Sequence, residues 1–204
     1  HLAAGYPSEN LSIAAYAGAE AIEESLAQTR EHTLVTTVPI VLKHSDDQAL
    51  GRGGGDHLEV NARRRYESDG VVVLPKCIGL NWVEALREAI DRDIHNPGPY
   101  VHSYDSEDSA GYFHGNLRTW ENDPTFRSFC MNSSLPGVAA ALFGSRKVNL
   151  LYDQIFVKEP ATMVRTRWHN DQPYWPVQGR QVASFWIALD HVTTENGALE
   201  FIRG

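Results

Sequence analysis

His169 and Asp171 stand two positions apart in RWHNDQPYWP, Arg167 to Pro176. An imidazole and a carboxylate are both ligands for divalent metals. On a strand, residues i and i+2 project to one face, about 7 Å apart along the chain, so both side chains could meet one ion. Two histidines and one carboxylate on one face of an octahedron form the facial triad of non-haem Fe(II) oxygenases, which leaves positions open for substrate oxygens and dioxygen. The triplet alone also fits a solvated turn or a salt bridge. A zinc hydrolase would use the same residue types in a tetrahedral site. A third ligand is needed, and the only histidine after Asp171 is His191, in the turn-like LDHVTTENG. An exposed turn residue is its expected role.

The elements that must position these residues are short. From Val148 onward, VNLLYDQIFVKEP, TRWHND, QVASFWIALD and GALEFIRG read as strands separated by turn signals, the spacing of a sheet sandwich or barrel. Gln154 alternates in phase with Tyr152, Phe156 and Lys158, giving one mixed polar and aromatic face, with Lys158 read as a solvated strand end. Trp186 shares a face with Ser184 and Ala188, whose small side chains leave room beside the ring, although plain core packing would serve as well. QPYWP, Gln172 to Pro176, forms a stiff aromatic lip that either packs or meets substrate.

Upstream, residues 8–31 are alanine-rich and read as a helix with Leu11, Ala15, Ile22 and Leu26 near one face. Thr33 to Lys43 is β-branched and reads as a strand, with Pro39 marking an edge or bulge. Residues 44–56, with three consecutive glycines, form a linker. Val71 to Leu74 is a buried strand after a turn at Asp69-Gly70. NWVEALREAIDRDI is an amphipathic helix capped by Asn81, with Trp82, Leu86, Ala89 and Ile90 on its core stripe. Residues 124–143 give one or two short helices.

The 204 residues are 42% hydrophobic and 22% charged, with formal net charge −8. That fits one globular core and argues against nucleic acid and anionic membrane as partners. No apolar run reaches the roughly 18 residues of a membrane span. Two cysteines, Cys77 and Cys130, read as ordinary thiols in a cytoplasmic setting.

LYDQIFVKEP, RWHNDQPYWP and VASFWIALDHVTTENGALEFIRG, taken in that order, resemble the phytanoyl-CoA dioxygenase family. RRYESDGVVVLPKCIG followed by a helix is similar to the family's opening. The resemblance is dense from about residue 150 to 204 and looser from Arg64. It implies a mainly β fold with flanking helices, the double-stranded β-helix (a cupin-like jelly roll). Residues 61–204 would form the N-terminal part of that domain, and residues 1–60 an extension of unknown role.

The resemblance further implies an Fe(II)- and 2-oxoglutarate-dependent dioxygenase that hydroxylates a small organic substrate, consumes dioxygen and releases succinate and carbon dioxide. His169 and Asp171 match the first two iron ligands. Gln154 and Trp186 match residues that line 2-oxoglutarate. The family draws a lysine from the segment near YFHGNLRTW, where this chain has only His114 and Arg118 as cations. The second histidine and an arginine for 2-oxoglutarate belong after ALEFIRG, so the C-terminal half of the β-helix is expected to be missing. The chain alone is then expected to be poorly soluble and inactive, the full-length parent active. A non-catalytic jelly-roll binding module is the alternative. Binding requires neutral His169 and ionised Asp171, so acid should release the metal. No basic cluster suits the phosphates of coenzyme A, and neither substrate nor oligomeric state is specified.

Overall fold

The computed structural model describes residues 11–16, 33–41, 60–104, 110–177, 179 and 181–203. Their strands join in one mixed sheet. In chain order these are β1 (Leu11–Tyr16), β2 (Thr33–Val41), β3 (Val71–Pro75), β4 (Val101–Ser103), β5 (Phe113–Leu117), β6 (Asn149–Leu150), β7 (Gln154–Lys158) and β8 (Val182–Ala188). The sheet order is β3-β1-β8-β2-β7-β5-β4, with β6 beside β2. β1 runs parallel to both β3 and β8, and the other pairs are antiparallel.

The helices are α1 (Val60–Asp69), α2 (Leu80–His95), α3 (Thr119–Asn122), α4 (Pro124–Asn132) and α5 (Leu135–Phe143). They supply most of the main core. Leu86 and Ile90 of α2, Phe129 of α4 and Leu135 of α5 are fully buried with Ile155 and Ile187 of the sheet. Each such side chain contributes roughly 1.5–3 kcal/mol by leaving water. Strand β7 shows how the sheet divides its faces. Ile155 and Val157 enter the core, while Gln154, Phe156 and Lys158 stay half-buried on the opposite side. Every residue of β8 is buried, because Trp186 and Ala188 form a second, smaller cluster with Phe156, Val192 and Leu199 on that opposite side.

The turn expected at Asp69-Gly70 is present. Gly70 takes a φ of +71° at the end of α1 and donates to the Tyr66 carbonyl at 3.1 Å, a left-handed cap that glycine adopts without strain. Asp123 caps α4, accepting from Thr125 N at 2.7 Å and Phe126 N at 3.3 Å, with Pro124 in the first turn. Both cysteines are free. Among the described residues, no helix is long and apolar enough to cross a membrane.

Other expectations are corrected. Residues 11–16, expected within a helix, are a strand: β1 pairs along its length with β3 and β8. Hydrogen-bonded neighbours on both sides outweigh an alanine-rich composition, since helix propensity is a weak prior against tertiary context. The rest of the expected helix and the glycine-rich linker at 44–56 lie outside the described residues. Pro39 is on an internal strand, opposite Ser184. The β7 ladder ends at Thr37 and β6 begins at Ile40, so on that side Pro39 meets a gap where no ladder bond is lost. The cap of α2 is Gly79, not Asn81. TRWHND and GALEFIRG are not strands. The first is carried away from the sheet by a turn in which Thr162 N bonds the Glu159 carbonyl. The second follows a turn closed by Ala198 N to the Thr193 carbonyl.

Candidate functional site

His169 and Asp171 converge, though not by strand alternation. They lie in a loop whose far end is a single 3-10 turn, Gln172–Tyr174, with Asp171 at its N-cap. His169 Nε2 stands 3.1 Å from Asp171 Oδ1, and both side chains remain partly exposed. The loop is tied by Trp175, which is buried and donates its Nε1–H at 2.8 Å to the hydroxyl of Tyr152, in the connection between β6 and β7. Tyr174 and Trp168 are exposed on either side. The aromatic lip therefore divides its work: Trp175 packs, and Tyr174 is presented to solvent.

The donor set decides whether a cation belongs here. His169 Nδ1 lies 2.6 Å from the Arg167 carbonyl. A carbonyl oxygen can only accept, so Nδ1 carries the hydrogen. In the neutral ring, Nε2 then offers a lone pair directly toward a carboxylate oxygen. Two acceptors at that distance repel unless a cation lies between them, either a proton on the ring or a metal. Histidine ligands commonly hold their tautomer this way, with the second nitrogen donating to a backbone carbonyl. Burial raises the Asp171 carboxyl, and the neighbouring His169 opposes that shift. An imidazole nitrogen and a carboxylate oxygen are residue types that could serve as two ligands of a divalent metal. Among the described residues no group of three or more potential ligands occurs.

The open face of the sheet runs from this loop. Gln154 and Trp186 occupy one row, each paired with Thr37 of the intervening β2. They are thus about 10 Å apart at two strand spacings. Gln154 is half-buried and Trp186 is 7% exposed. The Gln154 amide donates to the Tyr104 hydroxyl at 3.3 Å. Tyr104 in turn lies 2.6 Å from His102 Nε2, while His102 Nδ1 faces the Tyr100 carbonyl at 3.1 Å. With Nδ1 donating to the Tyr100 carbonyl, the neutral ring accepts at Nε2 a hydrogen bond from the Tyr104 hydroxyl. Burial raises the Tyr104 phenol against the opposing Gln154 hydrogen bond.

Gly115 makes room for this arrangement, since a Cβ there would stand 2.5 Å from His102 Nε2. The rings of Tyr104, Phe113 and Phe156 are mutual neighbours, with centroids 4.7 to 6.0 Å apart. Lys158 Nζ lies 4.8 Å from the Phe113 centroid. It is half-buried, which corrects its reading as a solvated strand end.

A family model described as phytanoyl-CoA dioxygenase (PhyH) matches residues 66–204, more than half of the chain. The chain belongs to the phytanoyl-CoA dioxygenase family. Neither the curated proteins nor the solved structures give a match. Membership assigns the chain to an oxygenase family that generally uses Fe(II) and 2-oxoglutarate, small organic substrates and dioxygen.

For a phytanoyl-CoA dioxygenase relative, the cations of the YFHGNLRTW segment are placed unexpectedly. His114 is on the core side, buried, and bonded through Nε2 to Asp93 Oδ2 at 2.9 Å. Arg118 pairs with Glu121 and lies over the Tyr100 ring. His191 is an exposed turn residue, as expected, and its carbonyl accepts from Asn196. His102 and Tyr104 were not anticipated from the sequence; β4 places His102 opposite Gly115, and Tyr104 N bonds the Phe113 carbonyl just beyond it. Their i, i+2 spacing in VHSY is the same signal that drew attention to His169 and Asp171, but no periodic context marked it.

Proposed function

We propose that this protein is the Fe(II)- and 2-oxoglutarate-dependent dioxygenase its family membership suggests, hydroxylating a small organic substrate and releasing succinate and carbon dioxide. The observation that carries this reading is the convergence of His169 and Asp171, with Nε2 3.1 Å from Oδ1 and the other ring nitrogen 2.6 Å from the Arg167 carbonyl. His169 and Asp171 hold the metal. In the family pattern a second histidine supplies the third ligand. When bound, the iron supplies dioxygen activation coupled to 2-oxoglutarate decarboxylation. The residues present do the rest. Gln154 and Trp186 line the cosubstrate, and Tyr104 and His102 fix the Gln154 amide. Trp175 ties the ligand loop to the connection between β6 and β7, and the rings of the open face exclude water from the reacting groups. In this reading residues 61–204 are part of a double-stranded β-helix, and the extension formed by residues 1–60 adds β1 and β2 as internal strands of its sheet. The free thiols of Cys77 and Cys130 support a cytoplasmic setting.

The experiment is anaerobic binding of Fe(II) with 2-oxoglutarate to the full-length protein, followed by admission of dioxygen and measurement of succinate. Fe(II)-dependent succinate formation is expected. Binding of the metal without any turnover of 2-oxoglutarate would leave a binding module instead.

A further inference from the structure

The open face holds a hydrogen-bond chain whose direction a proton can reverse. His102 donates its Nδ1–H to the Tyr100 carbonyl, and its Nε2 accepts from the Tyr104 hydroxyl at 2.6 Å. The Gln154 amide in turn donates to the Tyr104 oxygen at 3.3 Å. A hydroxyl has one hydrogen and two lone pairs. Here the hydrogen and one lone pair are spent, and both bonds run toward the imidazole. The array meets solvent: Tyr104 is 38% exposed, and His102 and Gln154 are half-buried.

Protonation of the ring turns the chain around. An imidazolium donates at both nitrogens, so the Tyr104 oxygen then accepts from His102 as well as from Gln154. Both lone pairs are used, and the phenolic hydrogen needs an acceptor of its own. A carboxylate held at Gln154 supplies one and also meets the new positive charge. The charged and titratable groups around the ring are engaged elsewhere. Arg118, just after β5, lies over the Tyr100 ring and pairs with Glu121. His114 of β5 turns to the core side and bonds Asp93. Lys158 of β7 faces the Phe113 ring and the Val164 carbonyl. Tyr152, between β6 and β7, receives the Trp175 N–H. Burial raises the Tyr152 phenol against that hydrogen bond, and Asp171 and Tyr104 are both near enough to add to the shift. Tyr152 thus neighbours both the array and the metal pair.

We propose that the Tyr104 hydroxyl is a further binding contact for the carboxylate held at Gln154, and that this contact forms as His102 takes up a proton. This rests on the cosubstrate reading of Gln154 for the identity of the carboxylate, while the exchange of hydrogen bonds belongs to the array itself. The proton comes from solvent and stays on the imidazole, and the phenol keeps its own. Burial raises the Tyr104 phenol against the opposing Gln154 hydrogen bond, so it remains a neutral donor. The coupling is reciprocal: lower pH tightens carboxylate binding, and binding draws a proton onto the ring. Histidine is the side chain that changes charge between pH 5 and 8, whereas carboxylates stay ionised there.

The test is calorimetric titration of the full-length protein at pH 6 and pH 8. One arm uses 2-oxoglutarate with Fe(II) under anaerobic conditions. The other uses glutarate with the metal-free protein, since glutarate has both carboxylates but no keto oxygen for iron. His102→Gln is the reference in each arm, so that the titration of His169 and Asp171 cancels. Relative to it, wild type should bind each ligand about tenfold more tightly at pH 6 than at pH 8, the scale of one hydrogen bond to a charged group. Proton uptake should appear as a dependence of the heat on the ionisation enthalpy of the buffer. Tyr104→Phe keeps the imidazole but has no hydroxyl, and it should lose most of the preference, which bare attraction to the imidazolium would leave in place. Parallel pH dependence of wild type and His102→Gln in both arms, or a wild-type preference retained in Tyr104→Phe, would overturn the proposal. Failure of 2-oxoglutarate to bind with Fe(II), with the linkage present for glutarate, would sink the oxygenase reading and leave the array standing. Thermal unfolding of each variant guards against loss of fold, and Tyr104→Phe serves as the reference if the glutamine variant unfolds.

Discussion

Asp153 is fully buried just before β7 and clamps that strand to the start of α3. Its carboxylate accepts from the Thr119 hydroxyl and from Trp120 N at 3.1 Å, and its own carbonyl accepts from Arg118 N at 2.8 Å. Burial raises its pKa from 3.8 to about 6, more than these hydrogen bonds lower it. The folded state therefore holds this proton more tightly than the unfolded state. Stability is greatest below the unfolded value and is lost as pH rises through the folded one. At about 1.4 kcal/mol per unit, the full loss is ~3 kcal/mol, of which ~2 kcal/mol falls between pH 4.5 and 7. Asp153→Asn removes the titration but keeps a carbonyl for Trp120 N and an amide that the rotatable Thr119 hydroxyl can accept from. Urea unfolding of both proteins at several pH values isolates the effect. With a slope of about 2 kcal/mol per molar urea, the wild-type midpoint should fall by about 1 M relative to the asparagine variant over that window. Parallel pH profiles for the two proteins, or a wild-type midpoint that rises relative to the variant, would refute the reasoning.

Other expectations follow from single contacts. Arg87 of α2 is buried, donating to the Leu189 carbonyl and to Asp190 Oδ1, both at 2.8 Å. Asp190→Ala should cost about 3–5 kcal/mol in urea unfolding by stranding the guanidinium, and Arg87→Met combined with Asp190→Leu should recover part of it. Gly115→Ala would press a methyl group against His102 Nε2. It should weaken 2-oxoglutarate binding severalfold through Tyr104 and Gln154 while costing less than about 1 kcal/mol in thermal unfolding, because the displaced ring is partly exposed. Trp175→Phe removes the hydrogen bond to Tyr152. A loss of about 1 kcal/mol in stability and a tenfold fall in metal affinity are expected, the latter read by competition with a chelator.

Where the chemistry is periodic or local, the sequence was informative. The alternation of Gln154, Phe156 and Lys158 against Ile155 and Val157 is a period-two signal, and the structure separates those residues onto two faces as that signal requires. The turn at Asp69-Gly70, where Gly70 is left-handed, is likewise local chemistry. His169 and Asp171 were legible as a pair by residue type, but the means was misjudged. A turn brings them together, because the backbone at Arg167 must fold back to accept from the ring.

What stayed hidden is long-range. Arg87 meets Asp190 across 103 positions, and no window of sequence contains both. Lys158 looked like a solvated end because the ring that receives its ammonium belongs to β5, forty-five positions upstream. Leu11–Tyr16 was misread because its partners, β3 and β8, lie far along the chain, and composition favours a helix until those partners are known.

The central claim is that His169 and Asp171 jointly hold a catalytic ferrous ion. It is tested most directly by succinate release from 2-oxoglutarate in the full-length protein with and without Fe(II), in wild type and in Asp171→Ala. Wild type should form succinate only with iron, and the variant should lose at least about a hundredfold, the upper range seen when even supporting groups of a metal site are removed. Iron-dependent succinate formation at the wild-type rate in Asp171→Ala would contradict it.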